Sequence, residues 1–217
     1  MKRKVPKVIV EEAKKGRGRP TTFDRDQLVE IVMNEFWDHG YKEVSMNQIA
    51  QRSGLTRTSL YNCFETKEAL FLAALERYFL SAPDLLLDNL KEGESVADAF
   101  YGVFDKACHD RAKDKKNRGC MAINCISEMI ASNTPLGDHL LGLLEYRKAL
   151  IRTLMVRAVA QKELAKDVDV DFLSDLMVTF MCGFSTFSKT GASKAKMITL
   201  CYGFLRQIGF SRTESKQ

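Results

Sequence analysis

Residues 45–70, SMNQIAQRSGLTRTSLYNCFETKEAL, constrain the fold more than any other stretch of the chain. Two short helices can cross at a steep angle only where a small residue sits at the contact, a glycine turns the backbone and apolar side chains fill the inner faces. Ala50 meets the first need, Gly54 the second, and Ile49, Leu55 and Leu60 the third. The spacing is that of a helix-turn-helix. Its second helix is predicted from Thr56 to Cys63, with Thr56, Arg57, Thr58, Ser59, Tyr61 and Asn62 facing outward. Side chains of this kind suit phosphates and base edges. Ser45 with Gln48 makes a capping box for the first helix, which puts Ser45 at the edge of the same candidate surface.

The flanking elements fall into the same register. Asp24 with Gln27 reads as another capping box, after which Leu28, Ile31, Val32 and Phe36 recur at helical spacing until Gly40. Thr66 caps a fourth helix that carries Glu68 in its first turn and then Leu70, Phe71, Ala74, Leu75 and Tyr78, breaking near Pro83. Further helices are predicted over residues 95–112, 120–132, 135–164, 171–189 and 193–208. The basic loop KDKKNRG precedes the second of these, and the short link Thr190-Gly191-Ala192 makes the last two antiparallel neighbours. No β-type alternation or strand-turn signal occurs, so the expected class is all-α with about nine helices.

Charge narrows the partner. The formal net charge is +5, and residues 1–20 alone hold eight Lys/Arg against two Glu. Residues 1–23 therefore read as a basic, disordered arm, and an excess concentrated in one segment favours a nucleic-acid partner over a uniformly cationic surface. Within the arm, GRGRP (residues 16–20) resembles the core of AT-hook minor-groove binders, with Arg17 and Arg19 as candidate readers. A narrow A·T-rich groove concentrates negative potential that an extended arginine arm can enter. A solvated basic tail is the alternative.

The six cysteines (63, 108, 120, 125, 182 and 201) form no CxxC pair, so free thiols in a reducing compartment are expected rather than a disulfide framework. No apolar run approaches the roughly 20 residues of a membrane helix, and no signal-peptide core follows the lysine-rich start. A soluble, cytoplasmic protein without a membrane partner is expected.

The run FWDHGYKEVSMNQIAQRSGLTRTSLYNCFETKEALF resembles the DNA-binding segment of the tetracycline-repressor (TetR) family, with an aromatic, Gly-Tyr, Ile-Ala, Gly, Leu-Tyr, an aromatic and Lys-Glu at the family's intervals. The resemblance covers residues 24 to 80. Ser45 stands where threonine is usual, and Asn62-Cys63 where many members have a polar residue and histidine. It implies a DNA-binding domain at residues 24–80 and an effector-binding and dimerisation domain at residues 81–217, coupled through the fourth helix. It also implies phosphate contacts from Tyr61 and Lys67, a homodimer, and a small-molecule effector with no cofactor.

In that family the last two helices pair with their copies in a second subunit. Phe172, Leu176, Phe184 and Phe187 on the eighth helix, with Met197, Leu200 and Phe204 on the ninth, are the corresponding candidates. Burial within one subunit is the alternative. For the implied pocket the candidates are Phe104, Met121, Asn124, Cys125, Glu128, Met177, Phe180 and Met181, an apolar set with a few orienting polar groups.

The segment RGCMAINC resembles an Arg-Gly-Cys stretch found in a subset of the family. Cys120, at a helix N-terminus beside Lys115, Lys116 and Arg118, is the candidate reactive thiol, because the dipole and the cations favour thiolate. An inert residue packed at a helix start is the alternative. Catalysis is not expected, since His39, His109 and His139 fall in different elements without a nucleophile and carboxylate in a recognisable motif. Metal binding is not expected either, because Cys120 and Cys125 stand well apart around a helix.

The function expected is a DNA-binding repressor released from a palindromic operator by an effector. A thiol-responsive repressor and a constitutive architectural DNA-binding protein are the alternatives.

Overall fold

Asp24, Ser45, Thr56, Thr66, Ser95, Asp169 and Ser193 each turn a side-chain oxygen onto a backbone N–H of the helix that follows. Local chemistry thus sets these helix starts, because each cap satisfies a donor that the helix leaves without a partner. The structure, a computed structural model, describes residues 24–132 and 134–212. In chain order the helices are α1 (Arg25–His39), α2 (Met46–Ser53), α3 (Arg57–Cys63), α4 (Lys67–Phe79), α5 (Leu85–Asp88), α6 (Val96–Lys113), α7 (Met121–Met129), α8 (Pro135–Ala160), α9 (Val170–Ser188) and α10 (Lys194–Gln207). The described residues contain no strand. The all-α expectation holds, with the four-residue α5 added.

Several boundaries move, each for a visible reason. At α1, Asp24 Oδ1 accepts the Asp26 and Gln27 amides itself, at 2.9 and 3.4 Å, in place of the expected reciprocal box. α7 stops at Met129 because Ser132 returns both its N–H and its hydroxyl to the Met129 carbonyl. α8 stops at Ala160, short of Leu164, where Lys162 takes a positive φ. The Glu163 carboxylate is thereby freed to accept the Val96 and Ala97 amides at the start of α6, at 3.2 and 2.8 Å.

The chain divides into two units that are not contiguous in sequence. The first runs through Ser81 and takes in Met121–Leu140; the second combines Ala82–Cys120 with the chain from Leu141 onward. The packing units therefore differ from the sequence division at residue 80, because α7 packs with the N-terminal helices. Its Met121, Cys125 and Met129, one turn apart, are buried in a unit where α7 meets α1 and α4.

In the first unit α1 and α4 pack along each other around Leu28, Val32, Phe36, Leu70, Phe71 and Leu75. Phe36 meets Phe71 edge to face with centroids 5.1 Å apart. Ile49 of α2 and Leu60 of α3 are fully buried, so each short helix is held by an apolar anchor. Truncating Leu60 to Ala should cost about 2–5 kcal/mol and undock α3.

The second unit is built on Phe100 and Phe104 of α6, Met155 of α8, Met177 of α9, Cys201 of α10 and Phe210 beyond it. Arg147 on α8 reaches Asp84 and Asp88 at 3.1 and 3.0 Å, tying α5 to α8. One finding departs from the sequence expectation: α9, at 19 residues, is long and apolar enough to cross a membrane by length and composition. Its Asp171 and Asp175, however, pair with Arg152 and Lys148 of α8.

Candidate nucleic-acid interface

Gly54 closes α2 in the left-handed region at φ +69°, and the Gly54 and Leu55 amides both return to the Ala50 carbonyl. No atom lies within 4 Å of where a Cβ would stand, so the turn needs glycine for its backbone angle rather than for space. Thr56 then caps α3 through Ser59 N at 3.1 Å, and the two hydroxyls lie 2.9 Å apart. With Leu60 buried, α3 leaves Arg57, Thr58, Tyr61 and Asn62 exposed and Ser59 half-buried. Arg57 lies one turn from Tyr61, its guanidinium carbon 5.8 Å from the ring centroid. Ser45 completes its capping box with Gln48 and is also exposed, though its side chain is engaged in the cap.

A second group of polar residues stands at the start of α4 and in the loop after α1. Lys67 Nζ lies 4.4 Å from the Tyr41 ring centroid and donates to the Lys42 carbonyl at 3.5 Å. Desolvation lowers the Lys67 pKa against the opposing pull of Glu128 and Glu43. Tyr41 is pushed up to about 12, by burial first and then by the charges of Glu68 and Glu128, so its ring stays neutral. Sequence reasoning did not single out Tyr41 and Lys42; the Gly-Tyr-Lys run after α1 was the available signal. Arg17 and Arg19 lie outside the described residues.

The remaining candidates separate. Phe104, Met177, Phe180 and Met181 share the core of the second unit, with Phe104 edge-on to Phe180 at 5.6 Å. Met121, Asn124, Cys125 and Glu128 belong to the first unit. Glu128, expected as a pocket residue, is engaged with the loop after α1. Its carboxylate accepts the Tyr41 and Lys42 amides at 2.9 and 2.7 Å, and nothing in the local sequence signals a partner 87 residues away.

Of the dimer candidates, Phe172 is 61% and Leu200 44% exposed, with Leu176 and Phe187 half-buried. Phe184 and Met197 are corrected: both are buried in the subunit's own core, Phe184 against Phe104 with the Arg111 guanidinium beside its ring. Phe204 is half-buried and stacks on Phe180 at 3.8 Å. On α9, Leu173, Met177 and Phe184 define the inward face, and Phe172 falls one position off it.

Cys120 is half-buried just before α7 and donates its amide to Ser185 Oγ at 2.9 Å. The neighbouring Arg118 is bound to Asp114, at 3.2 Å from Nε to Oδ1, which neutralises part of the expected basic field. Cys108, Cys125 and Cys201 are buried. Burial raises the thiols of Cys63 and Cys182, in Cys182 with help from the charge of Cys120. Among the described residues, no group of three or more His, Cys, Asp or Glu side chains is placed to hold a metal ion.

Residues 32–74 match the family of bacterial regulatory proteins named for tetR, and residues 99–200 match the tetracyclin repressor-like C-terminal domain. The chain is 28% identical over 196 residues to the HTH-type transcriptional repressor ComR of Escherichia coli K12, covering 89% of this chain and 92% of ComR. It is 25% identical over 176 residues to the repressor BdcR of the same organism, covering 81% and 84% respectively. A cysteine-substituted form of the TetR-family regulator CifR, solved with 26-bp double-strand operator DNA, superposes with a TM-score of 0.76 at 26% identity, over 87% of this chain and 98% of CifR. With both halves matched and the helix-turn-helix in place, the chain belongs to the TetR family of bacterial transcriptional regulators.

Proposed function

We propose that this protein represses transcription by binding a partly palindromic operator as a homodimer, the α3 helices of two copies entering successive major grooves. The observation that carries this reading is α3 itself: Arg57, Thr58, Tyr61 and Asn62 are exposed on a helix whose position is pinned by buried Leu60. The repressor name of ComR and the operator complex of CifR support the sign and the ligand. The apolar outer sides of α9 and α10, with Phe172 and Leu200 exposed, are the surfaces offered for pairing. Such a regulator acts in the cytoplasm, and no catalytic role is needed.

A small-molecule effector completes the cycle. The aromatic cluster of Phe104, Phe180 and their neighbours in the second unit is the region offered for it. An effector that binds better to a conformation with displaced recognition helices lowers operator occupancy, by no more than that affinity difference.

A thiol-responsive repressor is a second reading. Cys120 is half-buried and stands immediately before the N-terminus of α7, and it is the thiol offered for modification.

The decisive test is selection of bound duplexes from a random library at physiological salt, followed by fluorescence anisotropy on the enriched sites. Enrichment of two-fold symmetric half-sites about one helical turn apart is expected. Equal affinity for all duplexes rejects the proposal.

A further inference from the structure

Glu128 reaches from α7 to the loop between α1 and α2, the segment that leads into the helix-turn-helix. Its two carboxylate oxygens are divided between successive backbone amides: Oε2 accepts from Tyr41 at 2.9 Å and Oε1 from Lys42 at 2.7 Å. The Lys42 ammonium returns the contact by donating to the Glu128 carbonyl at 3.2 Å. Gly40 makes the approach possible. A Cβ there would stand 2.8 Å from Glu128 Oε2, and the backbone φ of +82° already disfavours any side chain.

The clamped loop is joined to the cation at the head of α4. Lys67 donates to the Lys42 carbonyl and rests over the Tyr41 ring, so the same two residues that bind Glu128 also seat Lys67. Charge-assisted hydrogen bonds to backbone amides are stronger than neutral ones, and two on one carboxylate fix orientation as well as position. Lys42 and Lys67 are thereby set in place before any ligand arrives, which lowers the ordering cost of a phosphate contact.

We infer that Glu128 is a positioning residue for operator binding: by holding the Tyr41 and Lys42 amides it sets the loop and the Lys67 ammonium against the DNA backbone. The inference rests on the DNA-binding reading above. It also gives α7 a specific role. The segment Met121–Leu140 is joined covalently at both ends to the second unit, so a displacement of α7 that withdraws the carboxylate loosens the grip on phosphate without altering α3.

The test uses the full chain and an operator duplex enriched by selection. Binding by the unsubstituted protein and its loss in Arg57→Ala establish the DNA-binding reading first; if neither is seen, that reading fails, independently of Glu128. With binding established, Glu128→Ala and Glu128→Gln should each weaken affinity on the order of tenfold, because the amides lose a charged acceptor. Affinity unchanged or raised in Glu128→Gln overturns the inference, and a rise would mark the carboxylate as an anion that competes with phosphate.

Two readouts separate positioning from general damage. Hydrogen exchange should show the Tyr41 and Lys42 amides deprotected in Glu128→Ala while the α1 and α4 amides stay protected; loss of protection throughout the unit would assign Glu128 a structural role instead. In a double-mutant cycle with Lys67→Ala, the two losses should be less than additive, since both act through the same phosphate contact. Full additivity would sink the link between Glu128 and Lys67.

Discussion

The Lys67 ammonium stands 4.4 Å from the centroid of the Tyr41 ring, held at the head of α4 by a cation–π contact. An ammonium placed this way acts as a point charge for a phosphate and carries no base preference. Lys67→Ala should therefore weaken binding to every duplex alike and flatten the salt dependence by about one unit of slope. Anisotropy titrations across a salt series on enriched and scrambled duplexes measure both.

Arg57 is expected to behave differently. It is exposed beside Tyr61 on α3, the helix proposed to enter the major groove. Arg57→Ala should cost about 1–3 kcal/mol on the enriched site and relax the preference at one position in each half-site. A uniform loss across sequences would reassign Arg57 to the phosphate backbone. Tyr61→Phe removes only a hydroxyl and should give a smaller, sequence-independent loss.

Dimerisation can be separated from folding by choosing one exposed and one buried residue of α9. Phe172 is 61% exposed, so Phe172→Asp should leave the subunit folded but reduce self-association, as should Leu200→Asp on α10. Phe184→Asp places a charge in the subunit's own core and should unfold it, since a buried unpaired carboxylate is strongly destabilising. Sedimentation and thermal melts together read the difference. A folded, fully dimeric Phe172→Asp/Leu200→Asp double variant would move the interface elsewhere.

Thiol reactivity is expected to be ordered. A mild electrophile should label Cys120 before Cys63 and Cys182, whose thiols burial raises, and should spare buried Cys108, Cys125 and Cys201 until the protein unfolds. If modification releases DNA, Cys120→Ser should remain bound under the same treatment. Peptide mass spectrometry that finds another thiol modified first, or release unchanged in Cys120→Ser, would leave only a reversible effector.

Acid stability should depend on Asp114. Burial alone would raise its carboxyl, but the Arg118 amide and guanidinium outweigh that and hold it below the ordinary carboxylate range. A depressed folded-state value means that the contribution is present above the unfolded pKa and is lost as pH falls through the folded one. Arg118→Met should therefore move the midpoint of acid unfolding upward and lower stability at neutral pH, because a largely buried carboxylate loses its guanidinium partner. Circular dichroism from pH 7 to 2 measures the shift, and unchanged acid limbs would show that the pair contributes nothing.

Much of this protein was legible as a string of residues because the relevant physics is local. Caps act within three residues, and helical spacing marks a buried face within two turns, so α1 to α4, the Gly54 turn and the outward side of α3 could all be read directly. The pocket and dimer candidates were less legible. Apolar residues on α9 looked alike in sequence, yet Phe184 turns inward to Phe104 while Phe172 faces solvent. Periodicity gives the faces of a helix without saying which neighbour covers each one.

The sequence by itself determined the all-helical class, the helix-turn-helix and the identity of its exposed polar face, since short-range hydrogen bonds and apolar spacing specify them. Tertiary structure decided that α7 packs with α1 and α4, that the Glu128 carboxylate binds the loop after α1, and which side of α9 is left uncovered. The physical reason is chain separation: a carboxylate and two amides 87 and 86 residues apart leave no periodic trace, and only folding brings them within hydrogen-bond reach.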